Sequence, residues 1–104
     1  MSDVVSDNQT KTRKKKQAKQ KEPPMYRVLL LNDDYTTFDF VVSVLTAIFG
    51  KSVPEAIKIT NDVHRKGSGV CGVYSREIAE TKVDLVAQSS KQAGFPLRCT
   101  IEEA

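Results

Sequence analysis

Apolar residues recur along this chain with two different spacings, one typical of strands and one typical of helices. The run MYRVLLL at residues 25–31 is mostly apolar and stops at Asn32, so it predicts a strand that other elements largely cover. Apolar residues then follow at helical spacing after Thr36, which we predict as the N-cap, with Asp39 as the capping-box acid. This first helix should end at Gly50, and its inward face comprises Phe38, Val41, Val42, Leu45, Ile48 and Phe49.

A second helix is predicted for residues 53–65. Ser52 and Glu55 repeat the capping pattern, and Pro54 falls in the first turn, where its missing N–H does no harm. Gly67 offers a C-terminal stop. Two polar side chains, a threonine and a histidine, lie one turn apart on an otherwise apolar inward face. That face comprises Val53, Ala56, Ile57, Thr60, Val63 and His64.

The rest of the chain predicts a strand, a helix and a strand. The second strand is GVCGVYS at residues 69–75, and its last residue, Ser75, can cap a third helix that runs to about Gln92. Apolar and polar residues alternate strictly in PLRCTIE at residues 96–102, so one face of this strand meets water. The inward face of the third helix comprises Ile78, Ala79, Val83, Val86 and Ala87. The order β-α-α-β-α-β predicts an α/β fold, an α+β sandwich of a three-stranded antiparallel sheet packed against three helices.

Charge is divided unevenly along the 104 residues, whose formal net charge is +3. Residues 1–24 hold seven Lys and Arg against three acids, a balance of +4, whereas residues 25–104 hold nine against ten, a balance of −1. The run KTRKKKQAKQK at residues 11–21 lacks apolar periodicity, so we predict a disordered basic extension over 1–24 and one folded domain over 25–104. Such a run can bind nucleic acid or an acidic membrane, but it is more commonly a solvated arm that solubilises or tethers.

Other features bear on compartment and on catalysis. The sequence contains neither an apolar run of transmembrane length nor a signal peptide, so we expect a cytoplasmic protein with no membrane partner. Cys71 and Cys99 lie in strand-like segments without Cys-x-x-Cys spacing or partner histidines, which indicates small buried thiols and no metal site. Because there is one histidine, no Gly-rich phosphate loop and no nucleophile beside a general base, we expect neither an enzyme nor a cofactor.

Polar residues at two places border the predicted apolar faces. Asn32, Asp33 and Asp34 follow the first strand, and His64 lies with Thr60 on the second helix. Two carboxylates and an imidazole could form a divalent-metal or phosphoryl-transfer site, but a metal needs more ligands than the chain offers here. Each cluster alone is also typical of an ordinary turn or of a hydrogen-bonded histidine.

Taken together, the two clusters predict a pocket with an electronegative lip. Two helix ends and a strand end can converge around an apolar cavity, and these acceptors have no nearby Lys or Arg to balance them. Such a lip suits a cation that brings its own hydrogen-bond donors, such as an ammonium group. A free polypeptide N-terminus with a bulky first residue supplies both the cation and the apolar side chain.

Five segments resemble, in order and spacing, the ClpS adaptors of bacterial ATP-dependent proteolysis: YRVLLLNDDYT, FVVSVL, VCGVY, AETKV and PLRCTIE. The similarity covers residues 25–104. It implies an adaptor, not an enzyme, that binds N-degron peptides and proteins with free N-terminal Phe, Tyr, Trp or Leu. It further implies delivery to the N-terminal domain of the Clp unfoldase, ClpA or ClpC acting with ClpP, assisted by the N-terminal extension. We expect a monomer with no nucleic-acid partner.

The resemblance assigns roles to individual residues. It implies that Asn32 and His64 accept hydrogen bonds from the substrate's α-ammonium group. Asp33 and Asp34 would add negative field, directly or through water. The residues that would line the hydrophobic pocket are Thr36, Phe38, Val41, Thr60, Val63 and Leu97.

The resemblance also assigns Glu77 and Lys82 to the surface that docks against the unfoldase; without it they would be ordinary solvated helix charges. Three residues depart from the family's usual ones: Thr37 stands in place of Pro, and Phe38 and Thr60 stand in place of Met. A rigid Phe at the rim and a short polar Thr at the wall would reshape the pocket and its preferred N-terminal residue.

A second function is compatible with the pattern, namely a small ribosome-associated or RNA-binding α/β domain with a basic tail. Such domains, resembling the C-terminal domain of the ribosomal stalk protein, share the element order. This alternative predicts nucleic-acid affinity that falls steeply with salt, whereas an adaptor should bind free aromatic N-termini. The slightly acidic body, which lacks an aromatic-plus-basic surface pattern, weighs against it.

Overall fold

The structure is a computed structural model that describes residues 22–104, so the disordered extension predicted over 1–24 lies almost wholly outside the described residues. Its elements follow the predicted order β-α-α-β-α-β. They are β1 (Tyr26–Leu31), α1 (Phe38–Ala47), α2 (Val53–Lys66), β2 (Ser68–Tyr74), α3 (Arg76–Ala93) and β3 (Arg98–Glu103). The predicted sandwich of three helices on a three-stranded antiparallel sheet is confirmed.

The most apolar strand, β1, is the central strand of the sheet and pairs antiparallel with both β2 and β3. Its residue Leu31 lies opposite Ser68 of β2 and Arg98 of β3. One further backbone bond extends this pairing, because the N–H of Asn32 donates to the carbonyl oxygen of Gly67 at 2.9 Å. The loop that follows β1 therefore starts beside the C-terminal end of α2.

The helices cover one face of the sheet, and the core lies between them. Val28 and Leu30 of β1 are fully buried, as the sequence predicted for a covered strand. The buried stripe of α2 is narrower than predicted: Val53 and Ile57 are 56% and 40% exposed. Helix α2 packs against α1 and β2 at the edge of the fold, so only its residues at positions i, i+4 and i+7 are covered. Those residues are Ala56, Thr60 and Val63.

The start of α1 differs by one residue from the prediction. The N-cap is Thr37, whose hydroxyl accepts a hydrogen bond from the N–H of Phe40 at 3.2 Å, and not Thr36. Thr36 is held instead by the preceding loop. The helix also ends before the predicted Gly50, at Ala47, with Ile48 as the C-cap.

The caps of α2 agree with the sequence. The Ser52 hydroxyl accepts a hydrogen bond from the N–H of Glu55 at 3.3 Å, and Gly67 ends the helix at φ +92°, a left-handed conformation that favours glycine. Helix α3 begins after Ser75, whose backbone is extended but whose side chain makes no capping hydrogen bond.

The two cysteines are small inward-facing thiols, as predicted. Both are free, with Cys71 buried and Cys99 half-buried. Burial raises the pKa of each thiol to about 12, so neither is a thiolate at neutral pH. Within residues 22–104, no group of three or more His, Cys, Asp or Glu side chains could hold a metal ion. No helix in the same range is long and apolar enough to cross a membrane.

Candidate functional site

The loop between β1 and α1 is organised by one carboxylate, that of Asp33. Its Oδ1 accepts the backbone N–H groups of Tyr35 at 2.8 Å and of Thr36 at 2.7 Å, and its Oδ2 accepts the Thr36 hydroxyl at 2.7 Å. Short polar side chains that bond to the backbone two or three residues ahead are typical of tight turns. The loop is therefore held in one shape by its own sequence.

These hydrogen bonds also decide the charge of Asp33. Burial alone would raise the pKa of the carboxyl group, but the bonds from the Thr36 side chain and from the backbone of Thr36 and Tyr35 favour the charged form. Their combined effect holds the pKa of Asp33 below its usual value. The loop thus carries a fixed negative charge at neutral pH.

The loop faces the sides of α1 and α2, and the three segments enclose a cavity of about 450 Å³, which we call the hollow. This volume lies within the range of small-molecule sites. The hollow is lined by Asn32, Asp33, Asp34, Thr36, Phe38, Val41, Thr60, Asn61, Val63 and His64.

Burial divides the lining residues into a floor and a rim. The floor consists of Val41, Thr60 and Val63, which are 6%, 3% and 3% exposed. The rim consists of five exposed residues, one of them the aromatic Phe38: Asn32, Asp34, Phe38, Asn61 and His64. An apolar side chain that enters the hollow therefore passes a polar rim before it meets a mainly aliphatic floor.

The rim is rich in hydrogen-bond acceptors and carries negative charge. Asp34 contributes a carboxylate at the opening and Asp33 a second one just below it, while Asn32 and His64 add neutral acceptor atoms. Among the described residues that line the hollow there is no Lys or Arg. The site is therefore suited to a cation with several N–H donors attached to an apolar group.

The structure brings together almost every site residue predicted from the sequence for the ammonium group and the pocket, with Leu97 as the exception. Leu97 is 6% exposed and lines a separate depression with Val83 and Ala87, between α3 and β3. The hollow lies on the α2 side of the fold, whereas β3 is the opposite edge strand, which α3 covers. Leu97 therefore does not line the hollow.

Asn61 lines the hollow but was not predicted. It lies three residues before His64, a spacing that places two side chains on neighbouring parts of one helix face. Helical geometry could therefore have identified it. Because Asn61 is polar and exposed, it does not belong to the apolar stripe of α2.

The two residues assigned to docking have different surroundings. Glu77 is exposed in the first turn of α3. Lys82 is half-buried: its Nζ donates to the carbonyl oxygen of Ile48 at 2.6 Å and lies 5.8 and 5.7 Å from the ring centres of Phe49 and Tyr74. Lys82 thus caps the C-terminal end of α1 from a neighbouring helix.

Comparison with known proteins shows which family this chain is similar to. The family described as ATP-dependent Clp protease adaptor protein ClpS matches residues 21–100. The ATP-dependent Clp protease adapter protein ClpS of Lawsonia intracellularis is 56% identical over 87 residues, 84% of this chain and 80% of that protein. The protein of the same name from Burkholderia cenocepacia is 50% identical over 102 residues, 97% of this chain and 98% of that protein.

A solved structure is also similar. It is that of Agrobacterium tumefaciens ClpS2 bound to L-phenylalaninamide, with a TM-score of 0.77 and 44% identity, covering 80% of this chain and 100% of that one. The resemblance of the sequence motifs is thus matched by a similar fold and by a family match that covers most of the chain. This chain belongs to the ClpS family, whose members are adaptors of the ATP-dependent Clp protease and not enzymes.

Proposed function

We propose that this adaptor binds proteins through a free N-terminal residue with a bulky hydrophobic side chain, Phe, Tyr, Trp or Leu, and delivers them to the Clp unfoldase. The observation that carries the proposal is the hollow, whose negative rim has no Lys or Arg and whose floor is mainly aliphatic. L-phenylalaninamide, the ligand of the similar A. tumefaciens protein, combines an α-ammonium group with an aromatic side chain. A ligand of this kind suits both parts of the hollow.

In this proposal the rim binds the α-ammonium group. Asn32 and His64 each accept a hydrogen bond from one of its N–H groups, and Asp34 supplies negative charge at the opening. Asp33 adds to the field, but its first task is to shape the loop, because both of its oxygens already accept hydrogen bonds. The side chain of the N-terminal residue then fills the space above Val41 and Val63.

The two halves of the ligand contribute comparable free energies. Burial of a Phe or Leu side chain contributes about 2–3 kcal/mol, and each charge-assisted hydrogen bond contributes about 1.5–3 kcal/mol. A micromolar complex corresponds to about −8 kcal/mol, so neither half of the ligand reaches that range alone. An adaptor that must later release its substrate is suited to that range.

Delivery requires a second surface. We assign it to the exposed side of α3 that carries Glu77, with Lys82 nearby and the basic residues 11–21 as a further contact to the unfoldase. The protein would act as a monomer in the cytoplasm. RNA is a poor ligand for the hollow itself, because the carboxylates of Asp33 and Asp34 repel phosphate.

Binding to peptides that differ only at the amino group tests the proposal. A labelled peptide that starts with Phe should bind with micromolar affinity, measured by fluorescence anisotropy, and its acetylated form should bind about 100-fold more weakly. Acetylation removes the cation and leaves the rim acceptors unpaired. A peptide that starts with Ser and has a free amine controls for the side chain and should also bind weakly. Equal affinity for the free and acetylated Phe peptides would refute the proposed site.

A pair of variants locates the binding site. Asp34→Asn removes a charge at the rim and should weaken the free Phe peptide several-fold. Asp84→Asn removes an exposed charge on α3, outside the hollow, and should leave the affinity unchanged. If the two variants had equal effects, general charge attraction would explain the binding and the rim would have no specific role.

A further inference from the structure

The floor of the hollow contains one polar side chain, that of Thr60. Within residues 22–104, Thr60 and Ser90 are the only buried polar residues, and Ser90 lies on α3, away from the hollow. The other floor residues, Val41 and Val63, have no hydrogen-bonding side-chain atoms. A buried polar atom in a ligand pocket distinguishes ligands that can bond to it from those that cannot.

The hydroxyl proton of Thr60 is already in use. Oγ1 donates it to the carbonyl oxygen of Ala56, one turn back in α2, at 2.7 Å. A hydroxyl group has one proton and two acceptor lone pairs, so what remains on this oxygen is acceptor capacity alone. Donating a hydrogen bond also makes the oxygen a better acceptor, because linked hydrogen bonds polarise one another.

The second hydroxyl group that lines the hollow is committed in the same way. Thr36 donates its proton to Oδ2 of Asp33 at 2.7 Å. Neither hydroxyl therefore has a proton left for a ligand, and the aliphatic floor offers none. A ligand group that only accepts hydrogen bonds finds no partner among these side chains, whereas a ligand donor does.

We infer that Thr60 is a specificity-determining residue that favours an N-terminal aromatic residue with a hydrogen-bond donor on its ring, tyrosine above phenylalanine. The phenol O–H of tyrosine would donate to Oγ1 of Thr60, while a phenylalanine ring leaves that buried acceptor unpaired. The inference rests on the proposed function and adds to it a preference within the aromatic residues.

The measured quantity is the ratio of the affinities for two peptides that differ only in Tyr or Phe at the first position. The ratio cancels what the peptides share, namely the ammonium group and the ring. Thr60→Val keeps the shape of the side chain and removes the oxygen. We expect this variant to lower the Tyr-to-Phe ratio about three- to tenfold, chiefly by weakening the Tyr peptide.

Two further variants and one further peptide complete the test. Thr60→Ser keeps the hydroxyl group and should retain the ratio. If Thr60→Val folds poorly, a peptide without the ring donor tests the same hydrogen bond on the wild-type protein. Asp84→Asn, which changes an exposed residue of α3 outside the hollow, should also retain the ratio. A peptide that starts with 4-fluorophenylalanine, close to Tyr in shape but without a donor, should bind the wild-type protein about three- to tenfold more weakly than the Tyr peptide.

The outcomes separate this inference from the proposed function. A Tyr-to-Phe ratio that is the same in wild type and Thr60→Val overturns the role of Thr60 while leaving the proposed function intact. A ratio that also falls in Thr60→Ser overturns it, because the hydroxyl group is still present. Failure of the wild-type protein to bind either free peptide refutes the proposed function itself.

Discussion

Lys82 offers a test of how α1 is held in the fold. The last turn of α1 contains no basic residue, so the unpaired carbonyl groups at its C-terminal end lack the cation that usually stabilises them. Lys82 of α3 supplies this cation, through a 2.6 Å hydrogen bond to the carbonyl oxygen of Ile48. Lys82→Met removes the ammonium group and keeps most of the aliphatic side chain.

The expected loss follows from three contacts. A charge-assisted hydrogen bond contributes about 1.5–3 kcal/mol, and a cation–π contact about 0.5–1 kcal/mol. The bond to Ile48 and the contacts with the rings of Phe49 and Tyr74 share one ammonium group, so their contributions do not simply add. We expect Lys82→Met to lower the free energy of unfolding by about 2–3 kcal/mol, and Tm by at least about 8 °C.

Chemical and thermal unfolding followed by circular dichroism measure this loss. The matched control is Lys91→Met, which changes an exposed lysine in the last turn of the same helix and should lower the free energy of unfolding by at most about 1 kcal/mol, the contribution of an exposed cation at a helix C-terminus. If Lys82→Met were no less stable than Lys91→Met, the side chain would not cap α1. Any loss of unfoldase docking by a Lys82 variant should therefore be compared with its loss of stability.

Two further predictions concern the loop after β1 and the rim of the hollow. Asp33→Ala should lower the free energy of unfolding at pH 7 by about 1–2 kcal/mol, because three hydrogen bonds of the loop disappear. Those bonds hold the pKa of Asp33 in the folded state below its usual value. The difference in free energy of unfolding between wild type and variant is therefore largest above about pH 4, and it decreases as the pH falls through the pKa of the folded state. Urea unfolding at about pH 7 and about pH 2 measures it, and an equal difference at both would contradict the assignment. His64→Ala removes one acceptor of the rim and should weaken the binding of a free Phe peptide several-fold, measured by fluorescence anisotropy. An unchanged affinity would remove His64 from this role.

The helices and strands could be predicted because their signals are local. Ser52 and Gly67 bracket α2 by capping chemistry alone, and the apolar run of β1 indicates a strand covered on its inner face. The N-cap of α1 was placed one residue too early because two threonines compete for that role. The decisive fact is that Asp33 binds the first of them, Thr36, and so leaves Thr37 to cap the helix.

Contacts between distant parts of the chain could not be predicted in the same way. Lys82 and Ile48 are 34 residues apart. No local pattern indicates that Lys82 of α3 caps α1, whose C-cap is Ile48. The exposure of Val53 and Ile57 likewise depends on where α2 lies relative to the sheet. Most lining residues of the hollow were predicted, whereas Leu97 was placed there by resemblance and the observed packing puts it elsewhere.

The backbone bond between Asn32 and Gly67 has a consequence for the kinetics of capture. It joins the segment that carries Asn32 to the end of the helix that carries His64, so the two acceptors proposed for the ammonium group are preorganised by the fold. Little chain entropy is then lost when an N-terminus binds. Association should accordingly be fast for every accepted N-terminal residue, and the lifetime of the complex, set by the fit of the side chain, should decide which substrates are retained long enough for transfer.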